Sequence, residues 1–155
     1  MSIPGLEAGI HVFFATLAAL DATALLAMVY LRATKYIRPL AVALAVLVWL
    51  SWIAVAPVYV IEYPADRKVI LANKMTAAAQ ELGMEIKEHI FYTGLMLATF
   101  VPIAAYGVDP ASESGRRLLL WSLVALLIGY FVMDFLGAWI GVSAKMAWAA
   151  KAGYG

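Results

Sequence analysis

Four apolar stretches constrain the fold of this chain more than any other feature of its sequence. They cover roughly residues 10–31, 39–61, 89–107 and 118–142 of the 155 residues. A helix needs about 20 apolar residues to cross the hydrocarbon core of a bilayer. Hydrophobic residues make up 65% of the chain, whereas a soluble domain is about half apolar. The sequence therefore predicts an all-α integral membrane protein with four transmembrane helices in the lipid bilayer.

The second half of the chain resembles the first half at an offset of 78 positions. At this offset Glu7 and His11 fall on Glu85 and His89, and the apolar residues around them match conservatively. The chain is almost twice as long as the offset, so we interpret it as two copies of one unit. A duplicated unit tends to place matching residues around a pseudo-twofold axis, which makes each matched pair a candidate site.

The repeat predicts a single membrane domain built from two tandem helical hairpins. Repeat 1 covers about residues 6–62 and repeat 2 about 84–142, and an outer loop at about 63–83 joins them, with a surface helix near 73–82. Pro39 is expected in the first turn of the second helix, where proline is favoured. The remaining loops are short, so the hairpins form an up-and-down four-helix bundle whose first and third helices lie diagonally opposite.

Positive charge follows the first apolar stretch and lies again between the last two. Arg32, Lys35 and Arg38 occupy the first short loop, and Arg116 and Arg117 occupy the other. Because cytoplasmic loops of membrane proteins carry an excess of Lys and Arg, the sequence predicts a multi-pass protein of the cell membrane. Its N- and C-termini are expected outside.

Composition excludes several classes of function. The chain has no cysteine, which excludes disulfides, Cys-ligated iron–sulfur clusters and covalently attached heme within it. The net charge of +1 comes without a basic run, so no nucleic-acid partner is expected. No nucleophile–base constellation is visible either, and the chain is not expected to act as an enzyme alone.

The only two histidines, His11 and His89, are the leading candidates for a cofactor site. Both fall at the outer ends of inward-running helices, so they lie at the same depth on diagonal corners of the predicted bundle. Neutral imidazole is a good axial ligand of heme iron, and the aromatic residues that follow each histidine are suited to pack on a macrocycle. The sequence therefore predicts one bis-histidine heme b near the outer face. The competing interpretation is a pair of interfacial histidines at headgroup depth.

Glu7 and Glu85 each precede a histidine by one helical turn, which places them on the same helix face. Such a carboxylate can orient the imidazole. Alternatively, the two glutamates and His11 and His89 form a non-heme site for zinc, iron or manganese. A third interpretation treats both glutamates as solvated charges at helix starts, where the helix dipole favours them.

Other charged residues are secondary candidates. Arg67, Lys68 and Lys87 in the outer loop are candidate partners of heme propionates, although a solvated loop explains them as well. Asp21 and Asp134 are expected near the bilayer middle, where a carboxyl group is costly and normally faces the bundle interior. They are interpreted as a proton path or ion site, or as neutral groups that fix helix packing.

The arrangement resembles the small membrane b-type cytochromes that anchor oxidoreductases and exchange electrons with quinone. The resemblance is architectural and rests on His11 and His89. It implies electron relay within a larger respiratory complex, with other membrane or outer-face redox subunits as partners and quinone as a candidate cofactor. Two alternatives without heme remain: a proton- or ion-translocating subunit that uses Asp21 and Asp134, and a structural or assembly subunit.

Overall fold

All regular structure in the computed structural model, which describes residues 6–154, is helical. The five α-helices are α1 (Leu6–Tyr30), α2 (Thr34–Pro57), α3 (Tyr63–Ala72), α4 (Glu85–Gly107) and α5 (Glu113–Lys151). Two π-helical segments, Val58–Glu62 and Ala79–Met84, connect α2 to α3 and lead into α4. Four continuous helical stretches are long and apolar enough to span a membrane, which confirms the predicted all-α class and the number of candidate spans.

The four long helices form a closed bundle. Helix α1 packs against α2 and α5, and α4 also packs against α2 and α5. This arrangement places α1 and α4 on opposite corners, as the sequence predicts for the two helices that carry the histidines. We call the end with His11 and His89 the histidine end, and the end with Arg32, Arg116 and Arg117 the arginine end.

The turn between α1 and α2 fixes the register of the first hairpin. The Ala33 N–H donates to the Met28 carbonyl at 2.9 Å and the Arg32 N–H donates to the Val29 carbonyl at 3.3 Å, the two bonds of a Schellman motif. Arg32 takes the left-handed conformation of that motif, with φ of 59°. The chain therefore reverses at residues 31–32, and residues equally distant from this turn face each other across the hairpin.

Two boundaries differ from the sequence prediction. Helix α2 begins at Thr34, so Pro39 lies inside the helix and not in its usual first-turn position. The predicted surface helix near 73–82 begins later than expected: residues 73–76 form a turn and the helical stretch starts at residue 77, after α3, which Val69 and Ile70 bury against α5. The second π-helical segment then continues into α4.

Two separate apolar cores hold the bundle together. The first core lies in the half of the bundle toward the arginine end, and it contains Ala18, Ala22, Leu25, Val29, Ile37, Ala41, Leu44, Val101, Ala104, Ala105, Leu119 and Leu123. The second core joins α3 and the second π-helical segment to α5 at the histidine end, and it contains Val69, Ile70, Ala79, Met84, Ile140, Ala144 and Ala147. The helical segments between these two cores are packed less closely.

The helices are longer than one bilayer crossing requires. Helix α5 has 39 residues, which corresponds to about 58 Å, whereas the hydrocarbon core of a bilayer is about 30 Å thick. Charged residues gather beside the second core, among them Asp66 and Lys68 on α3 and Lys145 on α5. The excess length therefore belongs to the histidine end, where it builds a helical extension of the bundle.

We predict that Gly115→Ala destabilises the bundle. A Cβ at this position would overlap the Asp109 carbonyl oxygen and would lie 3.0 Å from Ser112 Oγ, in the turn that caps α5. Overpacking of this kind typically costs about 1–3 kcal/mol. Gly107→Ala is the matched control, because a Cβ there meets no described atom within 4 Å. Thermal unfolding in detergent, followed by circular dichroism, should show a lower Tm for Gly115→Ala only; equal Tm values would contradict the prediction.

Candidate functional site

A cavity of about 720 Å³ lies between the two cores and is lined by all four long helices. This volume falls within the range of small-molecule and cofactor sites, about 300–1,000 Å³. Both histidines line it. The space exists because many of its wall residues are small, including Ala15, Ala18, Ala19, Gly94 and Gly129.

His11 is held by the neighbouring helix of its own hairpin. Its Nδ1 lies 2.9 Å from the carbonyl oxygen of Ser51 and 2.8 Å from Ser51 Oγ. The Ser51 hydroxyl in turn donates to the backbone carbonyl of His11 at 3.2 Å. Ser51 is buried and His11 is half-buried, so this network fixes the ring with little competition from water.

His89 is held by its own helix. Its Nδ1 lies 2.7 Å from the carbonyl oxygen of Glu85, one turn earlier in α4. Thr93 Oγ1 donates to the His89 carbonyl at 3.0 Å, and Thr93 also lines the cavity. His89 is exposed, and the two histidines are positioned by different means, although both line the same cavity.

These contacts determine the tautomer of both imidazoles. A carbonyl oxygen only accepts hydrogen bonds, so Nδ1 must carry the proton in the neutral form of each ring. Nε2 then keeps its lone pair, and within residues 6–154 neither Nε2 has a hydrogen-bond partner. A neutral imidazole whose Nδ1–H donates to a backbone carbonyl is the usual form of a metal-ligating histidine.

An aromatic wall completes the apolar lining. Trp52 and Phe91 are stacked with ring centroids 6.4 Å apart, and both line the cavity. Of the other aromatic residues that follow the histidines, Phe13 is 58% exposed and Tyr92 is 61% exposed, and neither lines the cavity. The aromatic contribution therefore comes from Phe91, Trp52 and Tyr130, of which the sequence singled out only Phe91 as a cofactor contact.

The two glutamates do not take the role expected of orienting carboxylates. His11 is oriented by Ser51, and Glu7 Oε2 is a buried atom with no hydrogen-bond partner in the described part of the chain. Glu85 does hold His89, but through its backbone carbonyl and not through its carboxylate. Neither glutamate lines the cavity.

The structure gives no support to a non-heme metal site. Among residues 6–154, no group of three or more His, Asp or Glu side chains is arranged to hold a metal ion. The proposed combination of Glu7, His11, Glu85 and His89 is therefore not assembled. The geometric reason is that both carboxylates lie outside the cavity wall that the two histidines line.

Of the three cations considered as carboxylate partners, only Lys87 lines the cavity. Its side chain crosses toward α5, where Nζ lies 3.5 Å from the position that a Cβ on Gly137 would occupy. Arg67 and Lys68 lie on α3 and are exposed. They belong to the extension at the histidine end, beyond the cavity.

Asp21 and Asp134 do not form a pair. Arg32 lies 3.6 Å from Glu113, so α1 ends and α5 begins at a similar level. Asp21 lies nine residues before the end of α1 and Asp134 lies 21 residues after the start of α5, which separates them by about 18 Å along the axis. Asp134 lines the cavity, whereas Asp21 does not, so a shared proton is not supported by this arrangement.

Ser51 is the site residue that the sequence interpretation missed, although a signal for it existed. The first hairpin reverses near residue 31, so residues whose numbers sum to about 62 lie at the same level of two antiparallel helices. His11 and Ser51 satisfy this sum. Ser51 is also a polar residue inside a long apolar run, between Trp49 and Trp52.

The cavity thus combines two imidazoles of defined tautomer, an aromatic wall, Lys87 and Asp134 in a mainly apolar lining. Comparison of the chain with protein-family models, with curated proteins and with solved structures finds no match.

We predict that Ser51→Ala destabilises the bundle by about 0.5–1.5 kcal/mol, since it removes the hydroxyl that bonds both Nδ1 and the backbone carbonyl of His11. Ser122→Ala is the matched control, a buried serine on α5 whose hydroxyl bonds no described residue. Equilibrium unfolding in detergent measures both variants. A loss of equal size in the two would show that the His11 network contributes nothing specific.

Proposed function

We propose that this chain is a membrane b-type cytochrome subunit that binds one heme between His11 and His89 and relays electrons. The observation that carries the proposal is that both imidazoles line one apolar cavity while their Nδ1 atoms are engaged by backbone carbonyls. Each Nε2 is then the atom with a lone pair for a metal. The donor set suits heme iron, which takes histidine as an axial ligand.

The surroundings of the two rings support the same function. The Ser51 and Glu85 carbonyls orient the imidazoles and increase their basicity, as outer partners of metal-bound histidines do. Gly94 and Gly129 leave space in the wall, since a Cβ on Gly94 would meet no described atom within 4 Å and one on Gly129 would reach only Ile90, at 3.7 Å. Trp52 and Phe91 offer flat apolar surface to a macrocycle.

A heme with two histidine ligands supplies one-electron chemistry, and its potential depends on burial and on hydrogen bonds to the ligands. The protein's own contribution is to orient the imidazoles and to surround them with a mainly apolar lining. The first core closes the cavity toward the arginine end, and the second core packs the helices together at the histidine end. Electrons would be exchanged with an external redox partner and with a membrane quinone or another membrane subunit.

The two alternatives without heme receive less support. Translocation through Asp21 and Asp134 requires a polar connection between them, and about 18 Å of helix separates the two residues along the axis. A purely structural subunit gives no reason for a cavity of about 720 Å³ that both histidines line. Binding of a heme for electron transfer accounts for the cavity and for the two histidines that line it.

We predict that the purified protein in detergent binds about one heme per chain and gives the reduced-minus-oxidised spectrum of a bis-histidine b-type cytochrome. His11→Gly and His89→Gly should each abolish that spectrum, because each removes one axial ligand. Added imidazole should restore it in both variants, which separates the loss of a ligand from misfolding. Iron content and visible spectra provide the measurement.

Met75→Ala is the control for this experiment. Methionine is another axial ligand of heme, but Met75 lies in the turn at 73–76 and is 81% exposed. Its replacement should leave the spectrum unchanged. Retention of the bis-histidine spectrum in either glycine variant without imidazole would contradict the proposal, as would a folded wild-type protein that takes up no heme.

A further inference from the structure

We infer that Lys87 binds a carboxylate of the ligand that occupies the cavity, which on the proposed function is a propionate of the heme. The inference rests on that function for the identity of the ligand. Its structural basis is separate from the histidines: a half-buried lysine lines a cavity whose other surfaces are mainly apolar. Such a cavity favours a ligand with an apolar body and an acidic edge.

The charge on Lys87 is acted on by the Asp134 carboxylate, but not through a direct ion pair. It forms no ion pair within 4.0 Å with any carboxylate of residues 6–154; the ion pairs found there all involve Glu113 at the arginine end. A charge that is removed from water is costly unless it is paired and hydrogen-bonded. A ligand carboxylate within the cavity would supply both the charge and the acceptor atoms.

The position of the ammonium group is fixed by the contact between α4 and α5. Because Gly137 has no side chain, Lys87 lies against the backbone of α5, with Nζ 3.5 Å and Cε 4.0 Å from the place of a Gly137 Cβ. Asp134, one turn earlier on α5, lines the same cavity. A ligand carboxylate therefore meets an attractive charge at Lys87 and a repulsive one at Asp134.

These two charges should have opposite effects on the affinity for a ligand carboxylate. The effects can be measured with porphyrins that carry no iron. The probes are metal-free protoporphyrin IX, which has two carboxylates, and its dimethyl ester, which has none. Lys87→Gln should weaken binding of the free acid by about tenfold, the size of one charge-assisted hydrogen bond, and should leave the ester unaffected. Asp134→Asn should strengthen binding of the free acid and also leave the ester unaffected.

Matched variants exclude a general loss of structure. Lys74→Gln removes an exposed lysine from the turn at 73–76, and this variant should bind both porphyrins like the wild type. Lys87→Arg keeps the charge and should retain most of the preference for the free acid. Porphyrin fluorescence titration of the purified protein in detergent, after removal of bound heme, gives the dissociation constants.

Three results would overturn the inference. The first is that Lys87→Gln weakens the binding of both porphyrins equally, and the second is that it weakens the binding of neither. The third is that the wild-type protein does not bind the free acid. None of these depends on iron ligation, so they are distinguishable from failure of the proposed function. Iron ligation should in turn be independent of Lys87: a heme-loaded Lys87→Gln variant should keep its bis-histidine spectrum, because Lys87 is not an axial ligand.

Discussion

The site depends on how the four long helices pack: they pack closely in two cores and leave the cavity between them. The first core closes the bundle toward the arginine end and the second core closes it at the histidine end. Between them the small residues Ala15, Gly94 and Gly129 keep the helices from filling the interior. Protein interiors are normally packed as densely as organic crystals, and the cavity of about 720 Å³ departs from that density because its wall residues are small. The extended helices add the second core at the histidine end, beyond the cavity.

Polar contacts inside this apolar bundle are few, and for that reason each one has a large structural effect. The His11–Ser51 network ties α1 to α2, Arg38 Nε donates to the Ala105 carbonyl at 3.2 Å, and Trp49 Nε1 donates to Thr99 Oγ1 at 3.1 Å. The last two contacts tie α2 to α4 at different heights. Buried polar groups without partners are costly. These contacts therefore favour one helix register over shifted registers, among which apolar packing alone discriminates less. The same register brings the rings of α1 and α4 to one cavity.

The sequence was sufficient for the features that depend on composition and period. Four apolar stretches predict four long helices, and the repeat singled out His11 and His89, both of which line the cavity. It was insufficient wherever the outcome depends on contacts between helices. Residues 67 and 68 looked equivalent to Lys87 as cations near the histidines, but only packing of α4 on α5 places a lysine in the cavity wall. Only the start of the surface helix was misplaced, since the chain turns at residues 73–76 after Val69 and Ile70 bury α3 against α5.

Residues that match at the offset of 78 do not have matching contacts, as the two histidines show. The offset of 78 places Gly129 where the first unit has Ser51, so His89 has no equivalent of the hydroxyl that holds His11. It bonds the Glu85 carbonyl of its own helix instead. The orientation of His11 therefore depends on the packing of α1 against α2, whereas that of His89 depends only on the integrity of α4. The two histidines are in this way supported by different contacts, and loosening of the first hairpin should disturb their orientations unequally.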